Sequence, residues 1–144
     1  MQKNKTTKGS CLCGAVTFTV PEMDRKLIAC HCDMCRKWTG GPFLSVKCGT
    51  DIQFTGKEHI TVYNSSDWAE RGFCSKCGSG LFYRFKENKL YYMAVGLFDN
   101  CEGIIFEEQL FIDQKPEYYH FANETKNMTK EEVFAEFTPE EFQR

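Results

Sequence analysis

The chain has no excess of positive charge. Eighteen Lys and Arg stand against twenty Asp and Glu, a formal net charge of -2. No basic stripe is present that would neutralise a run of phosphates, so nucleic acid is disfavoured as a partner. Long apolar runs are missing too: none approaches the roughly 20 residues that cross a bilayer. Residues 1–8 are polar where a secretion signal would be apolar. A cytoplasmic protein with no membrane partner is expected, and thiols stay reduced in that compartment. No linker or low-complexity segment interrupts the sequence, so residues 1–144 are expected to form a single domain. A hydrophobic content of 42%, with 15% aromatic, is enough to fill its core.

A helical period is also lacking before residue 125. In its place strand signals alternate with turn signals. Residues 15–20 are β-branched and aromatic and end at Pro21; residues 52–55 stop at Gly56; residues 60–63 alternate before the turn-prone segment 64–67. Further strands are expected over 81–85, 90–95 and 103–111, with a hairpin turn at Glu87 and Asn88. They read as antiparallel. Thr129 and Glu132 then spell a capping box, and Val133, Phe134 and Phe137 supply one apolar face, which predicts a short C-terminal helix. Thr138-Pro139 offers a second helix start.

Cysteine is what the chain has in quantity. Of nine, seven fall into three tight groups: Cys11 with Cys13, Cys30 with Cys32 and Cys35, and Cys74 with Cys77. Cysteines placed for burial scatter along a core, whereas thiolate ligands come in close sets because a tetrahedral ion demands a short bite. A disulfide framework fits poorly, since the count is odd and partners two residues apart are badly placed for disulfide geometry.

Ligand number assigns the sets. Cys11/Cys13 and Cys74/Cys77 each close with a glycine, Gly14 and Gly78, which permits the left-handed backbone that turns amide groups toward a bound thiolate. Together they make a complete, coordinatively closed structural site. Cys30, Cys32 and Cys35 supply three sulfurs without an obvious fourth donor, and three protein ligands plus an open position is the arrangement of a catalytic zinc. Two zinc ions per chain are expected. His31 is a possible fourth ligand, but in an extended stretch it points away from its two flanking cysteines; an irregular loop would undo that alternation. Cys48 and Cys101 read as thiols outside the sites, although either could complete one. His59 and His120 have no ligand partner at useful spacing.

The segments 9–16, 30–40, 63–66 and 71–81, with 95–99, resemble the glutathione-dependent formaldehyde-activating enzyme family, whose domain is shared with centromere protein V. The motif core covers residues 9–100. The resemblance implies a mainly β, Mss4-like zinc-binding fold, with Cys11, Cys13, Cys74 and Cys77 on a structural zinc and Cys30, Cys32 and Cys35 on a catalytic one. It also implies a carbon-sulfur lyase that joins glutathione, a small thiol, to formaldehyde, a small aldehyde.

Two departures from the family pattern stand out. Gln109 occupies the place where many members carry histidine, which leaves the identity of the substrate open, and residues 115–119 carry tyrosine where a Lys/Arg-Pro-x-Trp segment is usual, so a reshaped pocket wall is expected. Three thiolates weaken zinc as a Lewis acid, which makes a nearby cation valuable; Arg36 and Lys37 are the nearest in sequence. Asp99 reads as a turn residue or a proton relay. The alternatives to an enzyme are a binding module or glutathione carrier without turnover and, disfavoured by charge, a nucleic-acid-binding zinc protein.

Overall fold

The computed structural model describes residues 6–136. Phe137 and the helix start at Thr138-Pro139 lie outside them. The strands are β1 (Thr7–Ser10), β2 (Thr17–Val20), β3 (Lys26–Cys30), β4 (Phe43–Lys47), β5 (Gln53–Thr55), β6 (Ile60–Tyr63), β7 (Ala69–Cys74), β8 (Gly80–Phe85), β9 (Tyr91–Ala94), β10 (Ile105–Leu110) and β11 (Lys126–Met128). Helix α1 (Asp33–Thr39) follows β3, and α2 (Lys130–Glu136) follows β11. The fold is mainly β, as the sequence implies. No helix among the described residues is long and apolar enough to cross a membrane.

Two sheets form. The smaller has the order β1-β2-β5 and the larger β11-β10-β3-β4-β9-β8-β7-β6. Pairing is antiparallel except at β10, which runs parallel to both β3 and β11. The antiparallel pairing expected of the sheets thus holds, with a parallel edge added at β10. A parallel neighbour needs a long crossover, and the chain between β3 and β10 supplies one without leaving a mark on either strand's composition.

Alternation along the strands gives the larger sheet two different faces. One packs against the small sheet around Val16, Phe18, Val20, Val46, Phe82 and Met93, all buried. Phe82 pairs with Gly72 across β7 and β8, and a Cβ on Gly72 would fall 2.3 Å from the Phe82 ring, so the glycine is required by packing. The other face carries Ile28 and Cys30 of β3, Phe43 and Ser45 of β4, Arg71 of β7, Tyr83 of β8 and Leu110 of β10, which all line one cavity.

Helix α1 lacks a sequence signal because it is two turns long and buries only Cys35. Its start is fixed instead by Cys32 as N-cap, whose sulfur accepts from the Cys35 amide at 3.4 Å, and its end by Gly40 in the left-handed region at φ 88°. Helix α2 does carry the capping box: the Thr129 amide donates to Glu132 at 2.9 Å, and the Glu132 amide donates to the Thr129 hydroxyl at 3.2 Å.

Candidate metal centres and the cavity beside them

Two turns meet at the first cysteine cluster. Cys11 and Cys13 sit between β1 and β2, while Cys74 ends β7 and Cys77 lies in the turn before β8. Gly14 and Gly78 have φ of 83° and 82°, and their amides donate back to the Cys11 and Cys74 carbonyls at 3.2 and 2.7 Å. The left-handed glycines expected at these knuckles are therefore present. All four sulfurs lie within 4.8 Å of one another. Cys11 to Cys13 is 3.7 Å and Cys13 to Cys74 is 3.9 Å. A tetrahedron with metal-sulfur bonds of ~2.3 Å has edges of about 3.8 Å, whereas a disulfide would need ~2.05 Å. The donor set fits a thiolate-bound tetrahedral ion. Amide donors already point at the sulfurs: Val16 donates to Cys11 at 3.3 Å, and the Ser79 hydroxyl lies 3.2 Å from Cys77. Hydrogen bonds from the Ser79 side chain and backbone hold the Cys77 thiol down at about 5.

The second cluster is local. Cys30 ends β3, Cys32 caps α1 and Cys35 lies in its first turn, and their sulfurs also lie within 4.8 Å of one another. Hydrogen bonds from the Cys30 and Cys35 thiols hold Cys32 far below the usual thiol range, with the Cys35 amide and Arg71 adding to the effect. Cys30 is pushed up by its bonds to Cys32 and Cys35 and by burial. Hydrogen bonding among the three sulfurs thus favours a thiolate within the cluster.

The cation next to this charge is Arg71, which sequence spacing does not reveal. It is 3% exposed and donates from Nη1 to Cys35 Sγ at 3.6 Å. Its guanidinium lies 5.0 Å from the Trp38 ring centroid and 5.1 Å from that of Tyr83. Its buried Nε has no hydrogen-bond partner among the described residues. Arg36 turns elsewhere, donating from Nε to the His31 carbonyl at 2.9 Å, and Lys37 is exposed. Neither lines the cavity.

His31 points away from the sulfurs, as strand alternation predicts. It is fully buried, with Nε2 2.8 Å from Gln109 Oε1 and Nδ1 2.8 Å from the Tyr119 hydroxyl. Gln109 Oε1 can only accept, so Nε2 carries the proton and Nδ1 accepts from Tyr119. Both ring nitrogens are engaged, which excludes His31 as a fourth ligand in this geometry. Burial also depresses its pKa. Gln109 and Tyr119 therefore brace the loop behind the cysteines; the expectation that residues 115–119 reshape a pocket wall is corrected, since Tyr119 and the exposed Tyr118 both lie outside the cavity lining.

The remaining candidates lie apart. Cys48 is buried and donates to the Val46 carbonyl at 3.4 Å, with burial pushing its thiol up to about 12. Cys101 is exposed and joins neither cluster. Asp99 is exposed and away from the cavity, with its amide bonded to the Lys8 carbonyl. His59 lies 3.6 Å from Glu58, and His120 is exposed.

A cavity of about 190 Å³ opens from Cys30, Cys32 and Cys35. Ile28, Phe43, Phe85, Leu110, Met128 and Val133 give it apolar walls, and Asp24, Lys26, Lys47 and Glu108 stand at its far end. Fold and site together define a mainly β chain with one closed and one three-thiol cysteine cluster.

Residues 6–114 match the model of the family described as glutathione-dependent formaldehyde-activating enzyme, and the chain belongs to that family. A Schizosaccharomyces pombe protein described as an uncharacterized lyase is 38% identical over 127 residues, 88% of this chain and 93% of the relative. A Halomonas elongata protein, named as a candidate glutathione-dependent formaldehyde-activating enzyme, is 34% identical over 84 residues, 52% of this chain and 54% of that one. The crystal structure of a Rhodobacter sphaeroides protein superposes with a TM-score of 0.56 at 26% identity, covering 65% of this chain and 88% of that one.

Proposed function

We propose that the chain is a zinc-dependent carbon-sulfur lyase that makes and breaks the adduct of a small thiol and an aldehyde. S-hydroxymethylglutathione is the member of that class to which the family description points. Cys11, Cys13, Cys74 and Cys77 would hold a structural zinc, and Cys30, Cys32 and Cys35 a catalytic one. The observation that carries the reading is the convergence of three sulfurs, with no fourth donor among the described residues, on the end of a cavity. Zinc at such a site supplies Lewis acidity toward a carbonyl oxygen and favours the thiolate form of a bound thiol.

The chain's own residues then have separable tasks. The three thiolates outweigh the charge of a divalent ion, and Arg71 offsets the difference from within hydrogen-bonding distance of Cys35. Trp38 and Tyr83 fix the guanidinium plane. His31, locked between Gln109 and Tyr119, holds the loop that carries Cys30 and Cys32. The cavity brings the reactants together away from bulk water. In the synthetic direction a carbon-sulfur bond forms between the thiol sulfur and the carbonyl carbon, while the thiol proton passes to the carbonyl oxygen; the reverse direction restores both.

Exchange between free and thiol-bound aldehyde, followed by magnetisation transfer, tests this function. Zinc-loaded protein is expected to speed exchange at least about 100-fold over buffer. Cys32→Ser should return the rate to background. A zinc-loaded chain that binds thiol without changing the exchange rate would be a binding module or glutathione carrier instead.

A further inference from the structure

We infer that the thiol this site takes is carried on an elongated apolar body and is not a charged peptide thiol; this presupposes that Cys30, Cys32 and Cys35 form the open centre. The cavity is the space into which a molecule whose sulfur lies at that centre must extend. Along β3, Cys30, Ile28 and Lys26 share one face, so the groove runs about 13 Å from the sulfurs to the charged end. Between those ends the walls are mostly hydrocarbon and aromatic; of the other charged lining residues, Arg71 is engaged with Cys35 at the sulfur end and Glu136 is paired with Lys126 at 3.5 Å. Ser45, buried on β4 opposite Ile28, adds one hydroxyl midway.

Glutathione carries two carboxylates and an ammonium group. Laid in this groove, those charges would lose water against Leu110, Phe85 and Met128 without gaining partners there, and burying an unpaired charge is costly. The far end does not reverse that preference, because Lys26 is already paired with Glu108 at 3.4 Å, and Asp24, whose amide donates to the Lys47 carbonyl, brings a negative charge for the positive one of Lys47. Met128 and Val133 come from the chain beyond residue 114, where the family match ends. The apolar wall is thus partly built by a segment that the family pattern does not prescribe.

Calorimetric titration of the zinc-loaded full chain with ethanethiol, butanethiol, hexanethiol and glutathione decides the matter. Affinity should rise about fourfold for each added methylene until the groove is filled. The heat-capacity change should grow more negative along the series, as apolar burial requires. Hexanethiol should bind more than tenfold tighter than glutathione. A flat series, or glutathione binding tightest, overturns the apolar assignment while leaving the open centre intact. Absence of binding by every thiol overturns the open centre and the apolar assignment together.

Discussion

Cys74→Ser is expected to unfold the protein, whereas Cys32→Ser is expected to leave it folded. The difference follows from what each cluster joins. Cys11 and Cys13 belong to the small sheet's β1-β2 turn, and Cys74 and Cys77 to the β7-β8 turn of the large one, so an ion on all four clasps the two sheets across 61 residues of chain. Structural zinc contributes on the order of 10 kcal/mol to folding in small domains, comparable to the whole net stability of most. Cys30, Cys32 and Cys35 span a single strand-helix junction, held independently by the β3 pairings with β4 and β10. Losing one of them costs metal at that centre and little else. Thermal melts beside wild type provide the check, and equal loss of stability in the two variants would mean that both centres are structural.

Arg71→Met should weaken metal binding at the Cys30, Cys32 and Cys35 centre about 10- to 100-fold, the usual effect of removing a group that supports a ligand. Methionine keeps much of the volume between Trp38 and Tyr83 but removes the guanidinium beside Cys35. The centre would then retain buried negative charge without compensation. Arg71→Lys should fall between, since an ammonium preserves charge but not the planar stacking on the two rings. Competition with a graded chelator measures both variants. Unchanged affinity in Arg71→Met would assign the arginine to packing alone.

Both cysteine sets were legible in the sequence, because ligand spacing and the knuckle glycines are local features. So was the orientation of His31, which follows from strand alternation at the end of β3. The cation was not. Arg71 reaches Cys35 across 36 residues through the placement of β7 in the large sheet, and Arg36, chosen for nearness in sequence, is diverted to the His31 carbonyl. The available signal is an arginine two residues after Ala69 on a strand, an inward position where burial demands a negative partner.

Elements followed the same division. Strands β2, β5, β6, β8, β9 and β10 announce themselves by β-branched and aromatic residues, and α2 by its capping box. Strand β1 and the Glu70-Arg71-Gly72 centre of β7 read as polar or breaking, and are extended because their neighbours pair with them. Gln109 stands out in the sequence as a departure, but the task it shares with Tyr119, gripping the two nitrogens of one imidazole, depends on β10 lying parallel to β3. That pairing has no sequence signature.

On the proposed function, one chain holds a closed zinc that maintains the fold and an open zinc that meets the substrate. Zinc release from the fully loaded protein, titrated with chelators of increasing strength while circular dichroism follows the fold, tests it most directly. Two zinc ions per chain are expected, the first leaving with the spectrum unchanged and the second only as the β signal collapses. A chain that remains folded after losing both ions, or that loses both in a single step with its fold, would contradict the account.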